Sequence, residues 1–399
     1  MISEEIHEFV TLVDRRWRQA EYDERRFAAL AGECLAELDA TDWSTPALLA
    51  HQLDPDREPY FRQTPELIPL YRGPRFDLCA HLWGDTIAIA HQHAWAGAFR
   101  ILSGRSLNCY YDFNEHGRSN ADLGWGRLTR QRVVMHRAGD VVEVAPGPGF
   151  IHGLAYVDPR GLALSLRRKR REGAGLSYFR PSLVVDELAC GEATQARLRA
   201  LELAHEIDEG LYAQLLSRLL ETGDRLTLFF VLRRATTQGW PLPPDLEARG
   251  CERFGADFAA ITAAMVDVER SAALVEIRRE IADPDLRAFL AALYFSDDRE
   301  QLLEVLACTH PGESPWPLIG GWLRQLLVDD DGEVEVPGFL ADALADLAAG
   351  CELEVLASRL RSRGHEPEDA QLDFLAEVRG AMGAAPIYRA FFTEPVAHS

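Results

Sequence analysis

Three textures of apolar and polar positions follow one another along the chain. Residues 3–40 carry apolar side chains at helical spacing: Ile6, Phe9, Val10 and Val13, then Phe27, Leu30, Leu35 and Leu38. Side chains three and four apart share one helix face, so this stretch predicts amphipathic helices. Proline and charge interrupt the pattern between Asp54 and Pro74, which predicts an extended connection. From Phe76 to about Val185 the period shortens. The runs FDLCAHLW, TIAIAHQH, GAFRILSG, LNCYYDF, RVVMH, DVVEVA, HGLAYV and LALSL are divided by turn residues such as Gly104, Gly139–Asp140 and Pro146–Gly149. Many short strands at this spacing predict an all-β sandwich or barrel.

After Pro181 helical periodicity returns, as in ATQARLRALELAHEI and EGLYAQLLSRLLET. Asp224, Asp283, Ser296 and Asp297 are candidate N-caps, since each can offer an oxygen to a first-turn N–H. The expected class is α+β in two domains: a β-barrel with N-terminal helices, then an all-α domain. The expected boundaries are 1–59 for the leading helices and connection, 60–186 for the barrel, and 187–399 for the helical domain.

Charge sharpens that division. The formal net charge is −21. Residues 187–399 hold 38 acids against 19 arginines, 19 of the excess negative charges, and the first 186 residues are near neutral. An acidic half argues against nucleic acid as a partner, because phosphate binding needs clustered positive charge. A protein partner for this half is compatible with it. The seven cysteines form no CxxC pair and are odd in number, which argues against a disulfide framework or a cysteine-based zinc site. No apolar run reaches the length of roughly 18–20 residues that a membrane-spanning helix needs. The acidic opening MISEEIHEFV lacks a secretion-signal pattern, so the expected location is cytoplasmic, with no membrane partner.

Six of the twelve histidines lie between His81 and His152. His91 and His93 form an HxH pair in an apolar strand, where positions i and i+2 face the same way. Two imidazoles aimed into a barrel need partners, and a metal ion is a common one. Downstream, GDVVEVAPGPGFIHG sets Gly139, Pro146, Gly149 and His152 in order. Its GPG turn lets the chain reverse just before His152, so a third imidazole can meet the first two. His205, His310 and His365 stand alone in the helical half.

The two histidine-bearing segments resemble the two motifs of cupins, glycine–HxH–glutamate–glycine and glycine–PxG–histidine–asparagine. The resemblance covers less than a third of the chain. Gly97 stands in the region of the motif's glutamate, and Ala155 and Tyr156 stand where its asparagine is expected. Within cupins, a site of three histidines resembles the thiol dioxygenases. Phe76, Leu82–Gly84, Phe99 and Gly104 agree with that branch in order. Tyr60 and Arg62 resemble its YxR segment, whose arginine binds the substrate carboxylate, and Arg72 is a second candidate for that role. Where the family carries a Ser-x-His-x-Tyr segment, this chain has Ser165, Arg167 and Lys169, which alternation places on one strand face. Ala98 replaces the family's cysteine, so no thioether is expected there.

The resemblance implies a non-haem Fe(II) oxygenase. It would hold its metal through His91, His93 and His152 and act with dioxygen on a small carboxylate-bearing, possibly thiol, substrate. Imidazole ligands also suit zinc, copper and nickel, so another transition metal is compatible with the same residues. Two alternatives stay open. One is a small-molecule-binding module with the helical domain as its partner-binding or output part. The other is a metal-dependent isomerase or lyase.

Overall fold

The computed structural model describes residues 2–53, 67–85, 87–327 and 339–392. The expected substrate-binding residues Tyr60 and Arg62 lie outside the described residues. Two compact units make up the chain, residues 1–272 and 273–399.

The first unit opens with α1 (Ile2–Gln19), α2 (Phe27–Glu37) and α3 (Thr45–Gln52). Eleven strands follow: β1 (Leu67–Arg72), β2 (Phe76–Trp83), β3 (Ile87–Gln92), β4 (Gly97–Ser103), β5 (Ser106–Arg118), β6 (Leu123–His136), β7 (Val141–Val144), β8 (Ile151–Tyr156), β9 (Gly161–Arg168), β10 (Ser177–Phe179) and β11 (Leu183–Val185). One sheet runs β1-β2-β9-β4-β7, and a second runs β10-β11-β6-β5-β8-β3 and closes on itself. Every pairing is antiparallel. Strands β2, β4, β7 and β9 lie in one sheet and β3, β5, β6 and β8 in the other. That interleaving is the jelly-roll order of a double-stranded β-helix, so the barrel expected from the alternating runs is present.

The parity of the strands separates core from interior. Leu78, Ala80, Ala98, Leu162, Leu164 and Leu166 point outward from the first sheet into one core with Phe9, Val13, Trp17, Phe27 and Leu35 of the leading helices. Arg100 donates to the Leu35 carbonyl at 2.7 Å, a cation at the carbonyl-rich end of α2. The alternate residues of the same strands, His81, Phe99, Ile101, Ser165 and Arg167, are turned the other way, into the barrel.

The second sheet is covered by the helices that follow it: α4 (Glu192–Ile207), α5 (Glu209–Thr222), α6 (Arg225–Gln238), α7 (Leu246–Phe254) and α8 (Ala259–Glu280), of which the part up to Ala272 belongs to the first unit. Leu123, Phe179, Leu183 and Val185 of the barrel share a core with Leu228, Phe229, Leu232, Phe258 and Ile261. Arg180 and Asp267, both buried, join the two layers through hydrogen bonds of 3.0 and 2.6 Å. The change of texture near residue 187 is a change of secondary structure, and the two compact units divide at 272/273. The acidic helices that follow the barrel serve in part as its outer wall.

The second unit holds α9 (Pro284–Phe295), α10 (Arg299–Thr309), α11 (Pro315–Leu327), α12 (Leu340–Ala348), α13 (Leu353–Ser362), α14 (Asp369–Ala384) and α15 (Arg389–Phe392). Asp224 and Asp283 cap α6 and α9 as expected, while Asp298 rather than Ser296 or Asp297 caps α10. No helix among the described residues is long and apolar enough to cross a membrane.

Candidate metal centre

His91 is the penultimate residue of β3, His93 lies one residue beyond its end, and His152 is the second residue of β8. Strands β3 and β8 pair with His91 opposite His152. The PGPG turn before β8 is tied to the same place, since Gly147 N–H donates to the His93 carbonyl at 2.8 Å. Gly147 holds φ at +69°, a conformation that glycine adopts without steric cost. The spacing read from the two segments thus becomes a physical contact. The ligand nitrogens of His91, His93 and His152 all lie within 4.8 Å of one another. This is the one group of three or more metal-competent side chains among the described residues.

The orientation of two of the rings, His91 and His152, is set by their other nitrogen. His91 Nδ1 donates to the Ile89 carbonyl at 2.8 Å. His152 Nδ1 donates to Asn108 Oδ1 at 3.2 Å. Asn108 Nδ2 in turn donates to the Ser106 carbonyl and hydroxyl at 3.1 and 2.9 Å, which settles which end of the amide faces His152. With Nδ1 occupied, the Nε2 of His91 and of His152 carries a lone pair, the form a metal requires. The Nε2 atoms of His93 and His152 are 3.1 Å apart. Two imidazole nitrogens at bond lengths of about 2.0–2.1 Å lie roughly 3.0 Å apart at a right angle on one ion, so the pair fits joint ligation. Asn108 was not singled out in the sequence, because its role depends on the β5–β8 ladder.

Burial, with the neighbouring imidazoles adding to it, pushes His93 and His152 well below the ordinary histidine range. Burial also lowers His91, partly offset by its bond to Ile89 and by Glu187. All three are held neutral, as ligands must be. Gly97 leaves no room for a carboxylate at this point of β4. A Cβ on Gly97 would lie 2.0 Å from the Leu166 carbonyl oxygen, so no side chain fits where β4 and β9 close up. The donor set is three neutral imidazoles.

A mostly apolar cavity adjoins His152, formed by Trp83, Phe99, Ile101, Leu154 and Tyr156, with Asn108 and His136 among its polar groups. Its empty space, mouth included, is about 360 Å³. Tyr110, opposite His152 in the ladder, is hydrogen-bonded to His136 Nε2 at 2.9 Å.

The outer residues divide. Ser165 and Arg167 are joined inside the barrel, the serine hydroxyl accepting from Arg167 Nε at 2.8 Å. Beside them stands His81 of β2, its Nε2 2.8 Å from the Ser165 hydroxyl. Lys169 does not join them. Strand β9 ends at Arg168, so alternation stops, and Lys169 is exposed with its ammonium donating to the Gly73 carbonyl at 2.9 Å. Arg72 is exposed at the end of β1. In the helical segments, His205 stacks on Trp240, His310 lies 3.6 Å from Asp285, and His365 donates to Asp342 at 2.8 Å.

No protein-family model matches the chain, and no curated protein matches it. Among solved structures it is similar to those of DMSP lyases, with 18% identity over 23% of this chain and 38% of that one and a TM-score of 0.16. A cupin superfamily protein from Desulfitobacterium hafniense DCB-2 is matched with 14% identity over 29% of this chain and 93% of that one, TM-score 0.19. Hydroquinone 1,2-dioxygenase in complex with Cd2+ and 4-hydroxybenzonitrile is matched with 11% identity over 32% of this chain and 77% of that one, TM-score 0.21. The chain spans 38% of the DMSP lyase structure, well under its full length. Overlaps of this extent leave the fold resting on the strand order itself.

Proposed function

We propose that this chain is a metal-dependent enzyme whose centre is His91, His93 and His152, with Fe(II) as the resident ion and dioxygen as a co-substrate. One observation supports this above the others: three neutral imidazoles converge, and the second nitrogens of His91 and His152 are tied back to the Ile89 carbonyl and to Asn108. An Fe(II) ion held there would supply redox chemistry with dioxygen and coordination positions left open by a three-ligand set. Neutral ligands leave the full charge of the ion in place, which favours an anionic substrate.

The protein's own contribution is binding, orientation and exclusion of water. Asn108, fixed by Ser106, holds the His152 ring in plane. Trp83, Phe99 and Tyr156 line an apolar space next to His152 that is poor in partners for water. Arg167 supplies positive charge inside the barrel, and Ser165 binds it. The substrate class proposed is a small carboxylate-bearing molecule, with a thiol as the group oxidised. In that case R–S⁻ and O2 give R–SO2⁻, both oxygen atoms passing to sulfur and no other reductant being required.

The test is elemental analysis of the purified protein followed by oxygen-electrode measurements with small mercapto-carboxylates. One iron per chain and oxygen uptake in proportion to the thiol consumed are expected. Stoichiometric zinc with no oxygen uptake would instead favour a lyase or isomerase. Absence of any transition metal would end the proposal.

A further inference from the structure

The cavity beside His152 lies inside the barrel, and its two ends differ in chemistry. His152, Leu154 and Tyr156, alternate positions of β8, all line it. Strand geometry sets Tyr156 about 14 Å beyond His152. At the histidine end the polar groups are engaged with one another. Asn108 Oδ1 accepts from His152, Asn108 Nδ2 donates to the Ser106 hydroxyl at 2.9 Å, and His136 Nε2 is 2.9 Å from the Tyr110 hydroxyl. Beyond them the lining is apolar. Ile101, Leu154, Tyr156 and Ala163 form one buried cluster, apart from the core under the leading helices.

The far end is stiff. The Trp83 and Tyr156 rings are stacked there, 5.6 Å apart and 11° from parallel. Trp83 is stacked in turn on the buried His81 at 5.5 Å and 7°. Gly161, opposite Trp83 in the β2–β9 ladder, lies so close to the Tyr156 ring that a Cβ there would stand 1.8 Å from a ring carbon. The Tyr156 ring therefore has no room to withdraw. One side wall is low. Ala163, opposite both His81 and Ile101, puts only a methyl group into the space. Water finds few partners in such a space, whereas an apolar chain sheds its own hydration by entering it.

We propose that the molecule bound at the three-histidine centre carries an apolar tail, which lies along β8 from His152 past Leu154 and ends against Trp83 and Tyr156. This rests on the metal-centre reading above and adds the other half of the substrate: its head group is at the histidines and its tail is inside the barrel. Ala163 is the specificity-determining residue, because its small side chain leaves the space the tail fills.

The experiment is calorimetric titration of the full-length, metal-loaded protein, without dioxygen, using 2-mercaptoacetate, 2-mercaptobutanoate and 2-mercaptohexanoate. These share a thiol and a carboxylate and differ only in the tail. Metal content is read separately by atomic emission. Binding should tighten about fourfold for each methylene buried. Ala163→Leu fills the space and should leave 2-mercaptohexanoate no more than about twofold tighter than 2-mercaptoacetate, with metal content unchanged. Ala163→Val, which fills less of it, should lose part of the gain and decides the matter should Ala163→Leu fail to fold. Equal affinities along the series in the wild-type protein would overturn the proposal, as would a gain that survives undiminished in the Ala163 variants. A wild-type protein that holds no metal, or holds it and binds none of the thiols, would instead refute the reading of the head group. Titration with 1-butanol and 1-hexanol then decides the tail site alone. Tighter binding of 1-hexanol that is lost on substitution of Ala163 supports it, and equal binding of the two alcohols overturns it.

Discussion

Asn108 and His152 meet diagonally across the β5–β8 ladder, two residues out of register, the amide oxygen accepting the imidazole Nδ1–H at 3.2 Å. Groups that fix the far nitrogen of a ligating histidine typically account for about 10–100-fold in metal affinity. Asn108→Ala should weaken metal binding by that factor in a chelator competition. The circular dichroism spectrum should stay unchanged, since the side chain is small and bonds only within the site. Unchanged affinity would show that His152 is oriented by packing alone.

The three histidines should act as one unit. Replacing any of His91, His93 or His152 by Ala should remove most of the bound metal. A metal at a hundred times its Kd adds about 2.7 kcal/mol to the folded state. Chelation should therefore lower the unfolding midpoint of the wild-type protein and leave that of His152→Ala unmoved. A His91→Ala protein with full metal content would refute the ligand set.

Gly97 should resist restoration of a carboxylate. Its absent Cβ would lie 2.0 Å from the Leu166 carbonyl oxygen, a backbone atom with little room to move. Gly97→Glu and Gly97→Ala should each cost about 1–3 kcal/mol or more through overpacking between β4 and β9. Chemical denaturation would measure both. A Gly97→Glu protein of wild-type stability and higher metal affinity would show that the strands can separate.

The barrel should not be separable at the end of its last strand. A fragment of residues 1–186 would expose Leu123, Phe179, Leu183 and Val185, which the following helices bury, and should aggregate. A fragment of residues 1–280 retains those helices, α8 to its end, and should stay soluble and monomeric by size-exclusion chromatography. Within the full chain, Asp267→Asn leaves Arg180 buried without its carboxylate and should cost about 3–5 kcal/mol. A monomeric, strand-rich 1–186 fragment would contradict this account.

Much of this was legible along the chain. Alternating runs marked strands β2 to β9, helical spacing marked the flanking segments, and two short motifs placed His91, His93 and His152 together. These are local signals: periodicity records which face is buried, and a turn such as PGPG records a reversal. Strands β10 and β11 went unread, being three residues each, as did the outer half of the β5–β6 hairpin, whose Asp112–Arg118 arm is largely polar. Alternation also predicted one face for Ser165, Arg167 and Lys169, which holds only while a strand continues, and β9 stops at Arg168. Asn108 beside His152, and His81 beside Arg167, lie on different strands 44 and 86 positions apart in the chain. Strand register brought those side chains together, and register follows from how two sheets and their covering helices pack. The same packing set the boundary between compact units, because the helices after the barrel bury its outer face before the second core begins. Sequence alone determined strands β2 to β9, the helical segments and the three metal-competent histidines. Tertiary packing decided which neighbours orient them, which cation turns inward, and where the first unit ends.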